Sequence, residues 1–315
     1  MANVVASKTV IVMGRETTYG TAFTTPTVKL PDMMDYTFGE EQVIVPQKTQ
    51  TLAPMIKTSQ LGRIKPTVTL KGIWTDSHEE MFVACFGDTA TAYVIGTTDL
   101  APNAAGYSYT IVQAVPASSS DLGDGVQATG CRLVSLTLAK EGEYIGYTAV
   151  FDAKTIDDMV SLGDYTLTGI TNTTYPELTP MLFRQVTAEL HDTGTASNLL
   201  SFNLTITNEY ASDDICFQNS QTRISQPKCG TTAILSVDVL YDTVFDAVVY
   251  DGLFNQTTYT DEIVLTDGTN THTITTEGQY TAYSKPDKEK CLFTSSFTKE
   301  LTGTASVVPI SIATA

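Results

Sequence analysis

The chain has little of what catalytic and metal sites are made from. Its three histidines, His78, His191 and His272, stand apart, with no H-x-x-H and no neighbouring cysteine pair to complete a zinc site. The five cysteines, Cys85, Cys131, Cys216, Cys229 and Cys291, are odd in number, widely spread and include no C-x-x-C, so they read as small apolar residues in a reducing compartment. No G-x-S-x-G, phosphate-cradling P-loop or dinucleotide fingerprint occurs. Asp157-Asp158 and Asp213-Asp214 come nearest to a carboxylate pair, but neighbours on a strand point to opposite faces, and neither pair has the spaced ligands of a calcium loop. No enzyme, cofactor or metal is expected.

Basic residues are scarce too: 18 Lys and Arg against 35 Asp and Glu, a formal net charge of −17. That charge repels a phosphate backbone and argues against ordinary nucleic-acid binding, which depends on Lys and Arg. No apolar run approaches the roughly 20 residues that cross a bilayer. Thr9 to Met13, with Gly14-Arg15-Glu16 next, lacks the apolar core and cleavage site of a signal peptide, so neither a membrane nor the general secretory route is expected.

What is present is a β-strand composition. The 315 residues suggest about two domains, and 42% hydrophobic with 17% charged residues describes a globular chain rich in Thr, Val, Ile, Tyr and Phe. Leu200, Phe202, Leu204 and Ile206 alternate with Ser201, Asn203, Thr205 and Thr207, and Val134, Leu136 and Leu138 alternate with Ser135 and Thr137. Ile263 to Leu265 and Thr271 to Ile274 flank Asp267-Gly268, a hairpin signature. Many short strands with Gly and Pro between them predict a mainly β sandwich or barrel.

One strand-then-helix unit occurs twice. Val68, Leu70 and Trp74 alternate, Asp76 opens a short helix with Glu79 three residues on, and Gly87 stops it. Leu235, Val237 and Val239 alternate likewise, Asp242 takes the capping place and Gly252 closes the helix. Phe82, Cys85 and Phe86 share one helical face, as do Phe245, Val248 and Val249 in the second unit. Trp74, Phe82, Phe86, Phe245 and Val249 are therefore the expected core anchors, with His78 an exposed polar position in the first turn. The polar stretch Pro116 to Gly125 places a boundary between residues 1–120 and 121–315, with Gly163 to Pro180 as the alternative.

Residues 42–66 break with the chain's charge, carrying Lys48, Lys57, Arg63 and Lys65 and no acid. With Pro46, Pro54 and Pro66 the stretch reads as a long loop or extended hairpin, and long loops in compact domains are often functional.

Gly14-Arg15-Glu16-Thr17-Thr18-Tyr19-Gly20-Thr21, with the strand-like Thr27 to Pro31 after it, resembles the opening signature of tail tube proteins of tailed bacteriophages. The downstream order is similar over most of the chain: a long polar loop, the Trp74 to Gly87 strand-helix, then Gly130 to Leu138 and Leu199 to Asn208. The resemblance implies two related β-sandwich or barrel modules, each with one short flanking helix, assembling into stacked rings around an acidic channel through which double-stranded DNA passes without tight binding. Two modules per chain imply trimeric rings of pseudo-sixfold symmetry, with hexameric rings as the alternative, and Lys48, Lys57, Arg63 and Lys65 as an inter-ring contact. It further implies tape-measure, tail-tip and terminator partners, a virion tail of flexible, non-contractile type, and synthesis in the bacterial host cytoplasm. A capsid decoration or tail-fibre module, and a carbohydrate-binding adhesin module, are the competing readings of the same composition.

Overall fold

The computed structural model describes residues 9–23, 28–30, 33–47, 58–86, 92–94, 108–114, 124–161, 179–191, 198–210, 228–240, 243–289, 292–301 and 310–314. The chain is mainly β. Its strands are β1 (Val10–Arg15), β2 (Val28–Leu30), β3 (Met33–Gln47), β4 (Thr58–Ile73), β5 (Ala92–Val94), β6 (Tyr109–Ala114), β7 (Asp124–Glu141), β8 (Tyr144–Asp152) and β9 (Thr155–Ser161). The remainder are β10 (Thr187–Glu189), β11 (Leu199–Tyr210), β12 (Lys228–Leu240), β13 (Thr258–Thr266), β14 (Thr271–Glu289), β15 (Leu292–Leu301) and β16 (Ile310–Thr314). Helix α1 (Glu79–Phe86) comes after β4, and α2 (Thr243–Asn255) after β12.

The pairings are antiparallel, and their order repeats. One set runs β1–β6–β7–β8–β4–β3, with β9 on the second edge of β7. The other runs β10–β13–β14–β15–β12–β11, with β16 on the second edge of β14. Each helix leaves the strand next to the last in this order, α1 from β4 and α2 from β12. The sets join where β7 pairs β11 and where β5 pairs β16.

The pairing does not divide at residue 120. Ala114 of β6 pairs Gly125 of β7, so the polar stretch expected as a linker joins two strands of one set. Turn-forming residues serve a hairpin connection as readily as a linker. The pairing order changes between β9 and β10, and the alternative boundary Gly163 to Pro180 lies in that interval.

Period-2 alternation decides what is inside. One core row runs across seven strands as Tyr36–Leu70–Ala149–Leu136–Ile206–Ala233–Leu301, and all but Tyr36 are buried. The next runs Gly72–Tyr147–Leu138–Leu204–Leu235–Lys299–Tyr280, which carries a lysine into the core. Trp74, Phe82, Phe86 and Val249 are buried. The Phe245 side chain lies outside the described residues.

Several local expectations are corrected. The residue capping the turn before α1 is Thr75, not Asp76: the Thr75 N–H donates to His78 Nδ1 at 3.1 Å, and Thr75 Oγ1 stands 2.8 Å from the same nitrogen. His78 is consequently fully buried rather than exposed, packed against Trp74 and Tyr147. Gly252 does not end α2, which runs on to Asn255 before Gln256 takes φ +53°. Its lack of a side chain serves close packing instead, since a Cβ there would sit 2.6 Å from the Tyr259 ring. Of the two readings of the basic segment 42–66, the extended hairpin fits its described parts, since β3 reaches Gln47 and β4 pairs with it antiparallel from Thr58; residues 48–57 lie outside the described residues. The Asp267-Gly268 turn forms as expected: Asp267 Oδ1 accepts the N–H groups of Thr269 and Asn270, each at 2.7 Å, and Gly268 has φ +95°.

Candidate functional site

The strands β3–β4–β8–β7–β11–β12–β15–β14 lie side by side in one continuous antiparallel array. Residues that do not enter the core line its opposite face. One row reads Asp35–Lys71–Thr148–Thr137–Thr205–Ile234–Glu300, and another runs Ile73–Gly146–Ala139–Asn203–Ser236–Thr298–Ala282. This face is dominated by hydroxyls. Thr137 Oγ1 lies 3.2 Å from Thr205 Oγ1, and Ser236 Oγ lies 3.2 Å from Thr298 Oγ1. Ser201 and Ser296 both donate to the carboxylate of Asp238, each at 2.5 Å. Cross-strand hydroxyl pairs stiffen an antiparallel array while leaving it polar.

Among the described residues, charge on this face is sparse and mainly negative. Asp35, Glu141, Asp238 and Glu300 stand in its rows or beside them, and Lys71 is held 2.8 Å from Glu141. Lys140, at the end of β7, turns away to donate to the Leu200 carbonyl and sits over the Phe183 ring. Over the described residues the surface is thus broad, hydroxyl-lined and poor in cations. Among the described residues no group of three His, Cys, Asp or Glu stands where it could hold a metal, and no helix is long and apolar enough to cross a membrane.

Of the expected inter-ring residues, Lys48 and Lys57 lie outside the described residues, as does the side chain of Arg63 on β4. Lys65, also on β4, faces Glu41 of β3 across the hairpin. The structure therefore brings a basic and an acidic residue together on one arm.

Three buried polar nodes fix the scaffold behind the face. Glu16, in the signature octapeptide, accepts the Gly20 N–H at 2.7 Å, the Gly130 N–H at 2.7 Å and the Thr110 hydroxyl at 2.9 Å. Arg15 beside it donates to Glu80 of α1, which also accepts the Tyr109 hydroxyl. The octapeptide is thus a tie between β1, β6, β7 and α1, with Gly20 and Gly130 at positive φ to bring their N–H groups in.

The second node crosses between the two strand sets. Trp74 Nε1 donates to His272 Nδ1 at 3.0 Å, so Nε2 carries the proton and faces Asp76 Oδ1 at 3.3 Å. Burial lowers the pKa of His272, against the pull of Asp76. In the third node Lys299 Nζ donates to Asp261 Oδ2 at 2.8 Å and to the Thr276 carbonyl at 3.1 Å, while the His191 N–H donates to Asp261 Oδ1. His191 Nδ1 meets the Tyr280 hydroxyl, and burial pushes its pKa down to about 3. No local motif announces these nodes. Only the parity of Lys299 with Ser295 and Phe297 marks it as inward-facing.

Apolar surface remains exposed on α2, where Tyr250 is 47% and Phe254 67% exposed, their rings 4.8 Å apart. No protein-family model matches this chain, and no curated protein matches it.

Proposed function

We propose that this chain is a structural subunit of a bacteriophage tail tube, polymerising into stacked rings around a channel through which the genome passes. One observation carries the reading: an eight-strand antiparallel array whose outer face is lined by Ser and Thr hydroxyls and carboxylates, with Lys71 paired to Glu141. A channel wall for DNA needs that chemistry, because unpaired cations would bind each passing phosphate and slow ejection. The repeated pairing order supports two related β-sandwich modules in one chain, and hence trimeric rings of pseudo-sixfold symmetry. In this reading the octapeptide and the buried nodes are structural, and no catalytic step is assigned.

The arm formed by the β3–β4 hairpin, with Lys48, Lys57, Arg63 and Lys65, contacts the next ring. Tape-measure, tail-tip and terminator proteins are its partners in the virion tail. Negative-stain electron microscopy of the purified chain, with symmetry counted in end-on views, tests the proposal. Hollow stacked cylinders with three-fold features are expected; monomers or closed oligomers that never stack, even with tail-initiation proteins, would refute it. Replacing the four basic residues with Ser is expected to shorten tubes and lower their resistance to salt.

A further inference from the structure

The two strand sets correspond rung by rung, and one junction present inside the chain has no counterpart among the other described residues. The β7–β8 and β14–β15 hairpins match at their tips, where Glu141 pairs Tyr144 and Glu289 pairs Leu292. Lys71 pairs Thr148, and Asp238 pairs Ser296 in the same place, so β4 corresponds to β12. Asp35 pairs Lys71 as Ser201 pairs Asp238, which aligns β3 with β11. Thr37 and Gly39 thereby occupy the positions of Asn203 and Thr205. On the other hairpin, Ala282 and Ser284 occupy those of Ser135 and Thr137.

Inside the chain, β11 docks on β7 with Asn203 opposite Ala139, Thr205 opposite Thr137 and Thr207 opposite Ser135. Among the described residues, β3 pairs with β4 alone, and the part of β14 beyond Gln279 pairs with β15 alone. We infer that β3 of one copy of this chain docks on the C-terminal half of β14 of a second copy in the same register, with Gly39 opposite Ser284 and Glu41 opposite Ala282. The inference rests on the tube reading only for closure of successive junctions into a ring.

Two independent differences between the sets point to the same missing neighbour. The core-side residues of β11, Phe202 and Leu204, are buried, whereas their counterparts on β3, Tyr36 and Phe38, are only half-buried. Helix α1 is buried from Met81 to Phe86, with β11 reaching over it as Asn208 Nδ2 donates to the Cys85 carbonyl at 3.2 Å. Helix α2, its counterpart, leaves Tyr250 and Phe254 exposed beside Tyr283. A second copy seated on β14 covers that aromatic face as β11 covers α1. Strand addition to an open edge supplies backbone hydrogen bonds, and the aromatic patch supplies apolar area. The contact joins different surfaces on the two copies, so it propagates head to tail.

The test is a cysteine pair across the junction, Gly39→Cys with Ser284→Cys, in the full chain under mild oxidation. Directly opposed residues in an antiparallel pair bring their Cβ atoms within about 4.5–5.5 Å, close to disulfide geometry. Intermolecular disulfides giving dimers and higher species on non-reducing gels are expected, absent from either single variant. Thr137→Cys with Thr205→Cys is the positive control and gives an intrachain bond only. Absence of the intermolecular bond while the control forms would overturn the junction, even if microscopy shows tubes. Formation of the bond in oligomers that never stack would support the junction and refute the tube. As a second readout, Phe254→Asp, at a 67% exposed position, is expected to leave the monomer folded and abolish polymerisation. Wild-type polymerisation by that variant would overturn the coverage of α2.

Discussion

Replacing His78 with Asn should remove a defined part of the chain's acid sensitivity. Burial lowers the His78 pKa from 6.5 to about 3, with neighbouring His272 adding to the shift and the Thr75 backbone opposing it. Its Nδ1 accepts the Thr75 N–H, and its Nε2 is buried without a partner among the described residues, so the native state holds the neutral ring. The unfolded chain takes up a proton as pH falls below 6.5, and the folded chain does not until about pH 3. Stability from this residue is therefore complete above pH 6.5 and is lost progressively as pH falls toward 3. Each pH unit in that window is worth about 1.4 kcal/mol, so between about pH 7.5 and about pH 5 the loss is about 2 kcal/mol.

Asn keeps an acceptor for Thr75 and cannot titrate. Equilibrium urea unfolding of dilute wild type and His78→Asn at the two pH values isolates the term, because the chain's many carboxylates contribute equally to both proteins. The pH-dependent drop in unfolding free energy should be smaller in the variant by about 2 kcal/mol. An identical drop in the two proteins would show that the His78 environment does not exclude the charged ring, and the argument from burial would fail.

Lys299→Met should cost about 3–5 kcal/mol by leaving Asp261 buried without its cation, and Asp261→Asn added to it should recover most of that loss, since a buried pair is weakly stabilising as a whole. Double-mutant urea unfolding measures both. Glu16→Gln should destabilise by about 1–3 kcal/mol, because its amide N–H₂ turns a donor toward the Gly20 or Gly130 N–H; hydrogen exchange should quicken at those two amides. Gly252→Ala should cost about 1–3 kcal/mol through overlap with the Tyr259 and Tyr280 rings, read from thermal unfolding with α2 content monitored by circular dichroism.

The hairpin arms, the alternating strands and the strand-then-helix repeat were legible because each is a local pattern. Phe202, Leu204 and Ile206 face the core and Asn203 faces solvent because the pleat alternates with period 2, whatever partner the strand takes. The Asp267-Gly268 turn was equally legible, because a positive φ at Gly268 is a property of a few residues. Pattern also marked Trp74, Phe82 and Phe86 as apolar anchors.

Partners distant in the chain were decided only by the tertiary structure. Nothing near His78 in sequence announces that Tyr147 of β8 packs against it, and a first-turn helical position is ordinarily exposed. Glu16 reads as a surface acid until Gly20, Thr110 and Gly130 converge on it from separate elements. Strand order is likewise non-local: a polar run such as Pro116 to Gly125 can close a hairpin or link two units, and the pairing of Ala114 with Gly125 chooses the hairpin. The sequence by itself determined which face of each strand is wet, because that depends on alternation along one chain. Only the fold decided that those wet faces join into one hydroxyl-lined surface, because register across strands is set by contacts between residues far apart in sequence.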